Sequence, residues 1–294
     1  MSRVGIVGLG IMGSAYARNA IASGFEVLGF DIDDDRLRHL SDLGGIGEGS
    51  PAAVAAASDV VLLSLPSVDA LDEVVSGDRG LVQGAGPGLV VVEMGTFPIE
   101  AKLRARAALD EVGATCVDAP VSGTGLQADA AEIVVYASGE PAAVKVTRPV
   151  FDAIAKATFD VGEFGNGSKM KYLANLLVSV HNLVTAETFV LGTAAGLDPE
   201  QVLEVISAGV GSSRIFEIRG PMMVADAYPP AARLAMFIKD IGVIGDFARS
   251  LGCPTPLLEA SLPWYEQAVD AGLGDLDAAA LARLLASRVP RQGG

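Results

Sequence analysis

The fold is decided by residues 4–20, which read VGIVGLGIMGSAYARNA. An apolar, strand-like run leads into the pattern G-x-G-x-x-G at Gly8, Gly10 and Gly13, and an Ala-rich helical pattern follows. In this setting the glycines allow a tight turn, close approach of a pyrophosphate and close packing of helix on strand. The N–H groups at the helix start would then hold the phosphates. The residues expected to contact a dinucleotide here are Gly8, Leu9, Gly10, Ile11, Met12 and Gly13.

The second strand-like run, residues 25–31, ends in an acidic residue. Asp31 lies close to the expected offset of about 20 residues, where a carboxylate accepts hydrogen bonds from the adenosine ribose. Such a carboxylate repels a 2′-phosphate, and the acidic residues 33–35 add to that repulsion, with Arg36 as the nearest cation. The sequence therefore favours NAD over NADP. An ordinary turn followed by a solvated acidic helix start is the alternative interpretation.

Strand-like runs continue along the first half of the chain, separated by helical patterns. These runs lie at residues 3–7, 25–31, 60–66, 88–95, 115–121 and 132–139. Short apolar strands alternating with helices predict an α/β fold with a parallel, doubly wound sheet. After about residue 163 only helical patterns with Gly and Pro punctuation remain. We therefore predict a Rossmann domain over residues 1–163 and an all-α domain over 164–294, joined by a long helix; residues 288–294 are expected to fray.

Composition narrows the classes of partner. The chain has 294 residues, half of them hydrophobic, which suits two domains with sizeable cores. A net charge of −15 argues against nucleic acid and anionic membranes, because both require basic patches. We find no signal peptide and no apolar run of roughly 18 residues, and we expect a cytoplasmic protein. Two cysteines and two histidines do not suggest a disulfide framework or a metal site.

A helical stretch at 167–189 is mostly apolar but carries one polar stripe. Its polar members follow steps of three and four residues: Ser168, Lys171, Asn175, Ser179 and Asn182. Small polar groups with a single Lys are typical of a cleft wall rather than of a solvated face. Burial lowers the pKa of a Lys, so Lys171 would accept a hydroxyl proton while hydride leaves the same carbon. The alternative is a Lys that extends to solvent from a helix start.

Five ordered blocks carry a resemblance to a known family. They are GIVGLGIMG at 5–13, LPSVDALDEVV at 65–75, VVEMGT at 91–96, DAPVSG at 118–123 and GNGSKMKYLAN at 165–175, with FIKD at 237–240 in support. With these blocks the chain resembles the β-hydroxyacid dehydrogenases, which include 3-hydroxyisobutyrate dehydrogenase and belong to the 6-phosphogluconate dehydrogenase superfamily. The resemblance spans nearly the whole chain. It implies a Rossmann domain, a long interdomain helix, an all-α domain and a homodimer or homotetramer.

The resemblance also implies roles for single residues. Lys171 matches the catalytic Lys and Asn175 its companion, while Ser122 and Gly123 would bind a substrate carboxylate. Further residues are implied at the cofactor or the substrate pocket, namely Leu65, Pro66, Thr96, Lys239 and Asp240. The family usually has a second glycine where this chain has Thr124, whose side chain would narrow or polarise the pocket. Glu93 and Gly95 also stand where the family commonly has Asp and Ser.

These observations predict an NAD-dependent dehydrogenase of a small anionic β-hydroxy acid such as 3-hydroxyisobutyrate, with no metal. A semialdehyde reductase and a dehydrogenase of a polyhydroxy acid such as threonate remain open. Imine reductases share the architecture but lack the Lys, and phosphogluconate dehydrogenases typically have a longer chain. A dinucleotide-binding protein without turnover is the alternative from another class.

Overall fold

The computed structural model describes residues 3–290, and its contacts divide the chain into two units, Met1–Lys171 and Tyr172–Gly294. The strands are β1 (Arg3–Val7), β2 (Glu26–Phe30), β3 (Ile46–Gly47), β4 (Val60–Leu63), β5 (Val90–Glu93), β6 (Thr115–Asp118), β7 (Val121–Ser122), β8 (Ile133–Ala137) and β9 (Ala155–Asp160). The helices of the first unit are α1 (Ile11–Ala22), α2 (Asp34–Asp42), α3 (Pro51–Ala57), α4 (Val68–Ser76), α5 (Ile99–Glu111), α6 (Gly125–Asp129) and α7 (Pro141–Ile154). The helices that follow are α8 (Asn166–Ala194), α9 (Pro199–Ser207), α10 (Arg214–Val224), α11 (Leu234–Ser250), α12 (Pro256–Ala268) and α13 (Leu281–Ala286).

The first unit is built on a six-stranded parallel sheet in the order β3-β2-β1-β4-β5-β6. Its central strands read as continuous apolar runs because they are buried on both faces. The strand order reverses beside β1, and ligands of such sheets bind outside the carboxyl ends at this point. The predicted Rossmann fold is therefore confirmed, and the glycine-rich turn lies at the reversal.

A second sheet has the order β7-β8-β9 and was not anticipated. The sequence interpretation treated residues 115–121 as one strand and 132–139 as a further strand of the parallel sheet. In the structure β6 ends at Asp118, and Val121 and Ser122 pair antiparallel with β8. Pro120 has no N–H to donate to a ladder, which accounts for the interruption between the two strands.

The long helix α8 connects the two units. The predicted boundary at residue 163 lies just before it, whereas the contact-based division follows Lys171, because the first turn is hydrogen-bonded to residues of the first unit. By length and composition alone, α8 could cross a membrane, although the core helix of a water-soluble protein passes the same test. Its buried polar side chains indicate a core helix. Of the tail expected to fray, residues 291–294 lie outside the described residues.

Candidate active site

The three glycines of the turn after β1 have different reasons to be glycine. Gly8 has a φ of +89°, and a Cβ there would lie 2.3 Å from the carbonyl oxygen of Ser64. A Cβ on Gly13 would lie 1.9 Å from the carbonyl oxygen of Gly8. Apart from the chain neighbours of Gly10, the described residues bring only an Arg36 nitrogen, at 3.9 Å, within 4 Å of a Cβ placed there. Gly8 and Gly13 therefore close the turn, and the open space at Gly10 fits a pyrophosphate beside the start of α1.

Asp31 is part of the same turn. Its side chain is 4% exposed, and Oδ2 accepts a hydrogen bond from the Leu9 N–H at 2.7 Å. Oδ1 accepts from the Asp33 N–H at 3.0 Å, and the Arg36 guanidinium lies 3.2 Å from Oδ2. Arg36 also lies 3.5 Å from the Asp33 carboxylate. The predicted ribose-binding carboxylate thus also fixes the backbone of the turn, next to a cation.

Other predicted cofactor residues surround this turn. The Leu65 side chain lies 3.3 Å from the Cβ position of Gly8, and Pro66 is exposed just after β4. Ile11 is exposed, and its Cγ2 lies 2.5 Å from the Cβ position of Gly125, whereas Met12 packs against the core. The first unit therefore brings the glycine-rich turn next to the loop that follows β7.

That loop carries the predicted carboxylate site. Ser122 ends β7, and Gly123 has a φ of +150° with its Cβ position 2.6 Å from the Ile133 side chain, so glycine is required there. Thr124 begins α6 with a capping box: its N–H donates to Gln127 Oε1 at 2.9 Å, and its hydroxyl accepts from the Gln127 N–H at 3.4 Å. The capping box therefore takes up the Thr124 N–H and one acceptor position of its hydroxyl, but does not use the hydroxyl proton.

A fully buried charged cluster lies beneath the loop of Thr96. The Lys102 ammonium is 2.5 Å from Glu93 Oε2 and 2.8 Å from Asp118 Oδ1, and it donates to the Gly95 carbonyl at 2.7 Å. Glu93 Oε1 accepts from the Gly95 N–H at 2.8 Å. Burial raises the pKa of Glu93, against the opposing effect of Lys102. Burial would lower the pKa of Lys102, but its two carboxylate neighbours raise it above its ordinary value.

Asp118 also binds the start of α8. Its Oδ2 accepts from the Ser168 N–H at 2.8 Å, and its Oδ1 accepts from the Ser168 hydroxyl at 2.9 Å. The Ser138 hydroxyl accepts from the Gly167 N–H at 2.9 Å. Lys171 follows one turn later and is half-buried. The catalytic candidate is thus carried by a helix whose first turn is fixed to the first unit.

Sequence reasoning missed the roles of Glu93, Lys102 and Asp118. Glu93 and Asp118 end the adjacent parallel strands β5 and β6, so their positions carry a usable signal. Carboxylates at the carboxyl ends of neighbouring parallel strands meet at one edge of the sheet. Lys102 gave no such signal, because it lies among the charged residues of α5 and resembles a surface Lys.

In the second unit, a hydrogen bond and an ion pair connect three of the residues predicted for the site. Asn175 Nδ2 donates to Asp240 Oδ2 at 2.8 Å, and the Lys239 ammonium is 3.3 Å from Asp240 Oδ1. Lys239 and Asp240 lie in the second turn of α11 and are half-buried. The Asn175 amide is therefore oriented by a carboxylate of another helix.

The polar stripe of α8 is not a continuous cleft wall. Ser168, Ser179 and Asn182 are buried, so the prediction of a cleft wall is wrong for these three. Asn182 Nδ2 donates to the Tyr265 hydroxyl at 3.1 Å, and that hydroxyl donates to the Ser179 carbonyl at 2.9 Å. Helical spacing gave the right face, but helix packing within the second unit buries its later part.

Comparison with known proteins gives the class. Residues 3–162 match the family model described as the NAD-binding domain of 6-phosphogluconate dehydrogenase. Residues 165–285 match the model described as NAD-binding of NADP-dependent 3-hydroxyisobutyrate dehydrogenase. The chain therefore belongs to the NAD-binding β-hydroxyacid dehydrogenase family, as the five sequence blocks suggested.

Several members of this family are similar to the chain over nearly its full length. L-threonate dehydrogenase of Cupriavidus necator is 33% identical over 97% of this chain and 96% of its own length. The chloroplastic glyoxylate/succinic semialdehyde reductase 2 of Arabidopsis thaliana is 29% identical over 98% of this chain and 81% of its own length. The crystal structure of 3-hydroxyisobutyrate dehydrogenase from Salmonella typhimurium superimposes with a TM-score of 0.87, at 30% identity, covering 97% of this chain and 100% of that one.

Proposed function

We propose that this protein oxidises the hydroxyl of a small hydroxy acid with NAD, and that Lys171 takes the hydroxyl proton. One observation supports this most: Lys171 is half-buried on a helix whose first turn hydrogen-bonds the same unit that carries the dinucleotide turn. NAD, when bound, supplies the hydride acceptor. The neutral amine of Lys171 accepts the proton as the C–H bond breaks, and its ammonium returns the proton in the reverse direction.

The other residues bind and orient the substrate. The Ser122 hydroxyl and the backbone N–H groups at Ser122 and Gly123 bind the substrate carboxylate. These groups are local hydrogen-bond donors for an anion in a chain whose net charge is −15. The amide nitrogen of Asn175 is directed to Asp240, so its carbonyl oxygen is the side that accepts a hydrogen bond from a substrate hydroxyl. Asp240 borders the substrate, while Thr96 and Lys239 contact the cofactor.

NAD is the preferred cofactor in this proposal. The Asp31 carboxylate lies where the adenosine ribose is expected, and its charge disfavours a 2′-phosphate. Arg36 is the nearest cation, but it is shared by the Asp31 and Asp33 carboxylates. A preference for NAD therefore rests on two carboxylates that already pair with the Arg36 guanidinium.

A polyhydroxy acid such as L-threonate is the first substrate to test, because three L-threonate dehydrogenases are 31–33% identical to this chain. A second candidate is reduction of a small semialdehyde acid, favoured by two Arabidopsis glyoxylate/succinic semialdehyde reductases that are each 29% identical. A panel of L-threonate, 3-hydroxyisobutyrate and glycerate, followed by NADH absorbance with NAD and NADP in parallel, separates these. Semialdehydes are assayed in the reverse direction with NADH.

The role of Lys171 is tested by Lys171→Ala. We expect kcat to fall about 10²- to 10⁴-fold, the range of general acid–base catalysis. Lys169→Ala is the matched control, because Lys169 lies two residues earlier on α8, is exposed, and its ammonium donates to Asn166 Oδ1 at 3.0 Å. Equal turnover of the two variants would contradict the mechanism. Tight NAD binding without turnover on any acid or semialdehyde would favour the non-catalytic alternative.

The proposed assembly is a homodimer or homotetramer. Exposed apolar side chains of α8 lie along one face of the helix, at steps of four and seven residues: Leu173, Leu177, Val184 and Leu191. A second copy of the chain would cover this face. Light scattering of the purified protein tests this, and Leu177→Glu is expected to release monomer. The exposed free thiol of Cys253 suits a reducing compartment, which supports a cytoplasmic location.

A further inference from the structure

The charged cluster of Glu93, Lys102 and Asp118 is fully buried. A buried ion pair is weak support for stability, because removing charges from water offsets much of their attraction. Each of these three side chains nevertheless makes a hydrogen bond to a segment that carries a proposed functional residue. Glu93 accepts from the Gly95 N–H, Lys102 donates to the Gly95 carbonyl, and Asp118 accepts from the Ser168 N–H.

We propose that Lys102, with Glu93 and Asp118, is a positioning residue that sets the Thr96 loop and the first turn of the Lys171 helix relative to each other. The Lys102 ammonium reaches both segments: it donates to the Gly95 carbonyl directly and to Asp118 Oδ1. The Asp118 carboxylate in turn accepts hydrogen bonds from the N–H and the hydroxyl of Ser168, at the start of α8. All of these contacts lie within the first unit.

The surrounding backbone leaves little room for the two segments to move. A Cβ on Gly167 would lie 2.3 Å from the Tyr136 carbonyl oxygen, so the start of α8 packs directly on backbone. A Cβ on Gly95 would lie 2.4 Å from the Phe97 ring. Misplacing a reacting group by about 1 Å can reduce turnover about 10²-fold, so a buried constraint of this kind acts on catalysis.

This inference rests on the proposed function, because it assigns a purpose to the positions of Thr96 and Lys171. Asp118→Asn is the principal variant: it keeps the volume, removes the charge and leaves only one side-chain oxygen to accept from Ser168. We expect kcat to fall about 10- to 100-fold, with KM for the hydroxy acid changed less than about threefold. Amide hydrogen exchange of the unliganded protein should become faster in peptides covering 165–172.

Lys102→Met extends the test to the other segment. Exchange should become faster in peptides covering 93–99 as well as 165–172. The reason is that the Lys102 ammonium donates both to the Gly95 carbonyl and to Asp118, which in turn binds Ser168. The control is Leu109→Ala, which creates a cavity on the same helix α5 at a fully buried residue of the apolar cluster that contains Phe97. We expect Leu109→Ala to lower the melting temperature by an amount similar to Lys102→Met, without a selective increase of amide exchange in peptides covering 165–172.

Two results would overturn the inference. One is an Asp118→Asn protein with wild-type kcat, and the other is a uniform rise in exchange like that of Leu109→Ala. If Lys102→Met does not fold, Asp118→Asn decides alone. If the wild-type protein turns over no hydroxy acid, the proposed function fails, and the exchange experiment still shows whether the cluster holds both segments.

Discussion

Replacing Asp31 by Ala tests the link between the glycine-rich turn and cofactor choice. The carboxylate accepts the buried Leu9 N–H at 2.7 Å and the Asp33 N–H at 3.0 Å. Hydrogen bonds to charged groups contribute about 1.5–3 kcal/mol each, and the Leu9 N–H would be left without its acceptor. Asp33 is exposed and its N–H can bond water instead, so the buried Leu9 bond sets the loss. We expect the free energy of unfolding to fall by about 1.5–3 kcal/mol and the melting temperature of the unliganded protein by about 3–12 °C.

The same substitution releases Arg36 from its closest carboxylate, which lies 3.2 Å away. A guanidinium able to meet a 2′-phosphate adds a charge-assisted pair of about 1.5–3 kcal/mol. We therefore expect the ratio of Kd for NADP to Kd for NAD to fall about 10- to 150-fold, measured by fluorescence titration with the reduced cofactors.

Two further variants isolate the cause. Asp31→Ala combined with Arg36→Ala should lose the gain in NADP affinity but keep the loss of stability. Asp42→Ala removes an exposed carboxylate from the last turn of α2 and should change neither quantity. An unchanged ratio of the two Kd values in Asp31→Ala would refute the assignment of Asp31 to the ribose.

Three other outcomes follow from single contacts. Gly13→Ala places a Cβ 1.9 Å from a backbone oxygen of the turn, so loss of NAD binding is expected in titrations; retained affinity would contradict the packing role. Gln127→Ala opens the capping box, costing about 1 kcal/mol, and we expect KM for the hydroxy acid to fall as the Thr124 N–H becomes available; an unchanged KM would place Thr124 away from the substrate. Burial, then Asp226, raises the pKa of Tyr228 to about 12, so its contribution to stability is present below the unfolded pKa near 10 and is lost as pH rises through 12. A near-ultraviolet titration against Tyr228→Phe should show that phenolate forming near pH 12; a midpoint near 10 would contradict this.

Local pattern was sufficient for much of the fold. The continuous apolar runs of β1, β4 and β5 are buried on both faces, and the sequence shows this directly because parallel strands have no solvent face. The roles of Gly8 and Gly13 were also legible, since a tight strand-to-helix turn imposes the same backbone requirements wherever it occurs. The sequence also located Lys171 and Asn175 one helical turn apart on α8.

Tertiary packing decided which polar residues are buried and which residues they hydrogen-bond. Helical periodicity places Ser179 and Lys171 on one face of α8, but only the helices packed within the second unit bury Ser179 completely. The pairing of Thr124 with Gln127 follows a local rule, whereas that of Asn175 with Asp240 joins residues far apart in the chain.

The buried cluster shows the limit of sequence reasoning most clearly. Lys102 is flanked by charged residues in α5, so its neighbours in sequence suggest solvent, yet its side chain is completely buried. Its environment is set by Glu93 and Asp118, which parallel strand pairing brings to one edge of the sheet. By itself the sequence determined the elements and the chemical groups. Only the tertiary structure decided which charges meet away from water, because burial depends on contacts between residues distant in the chain.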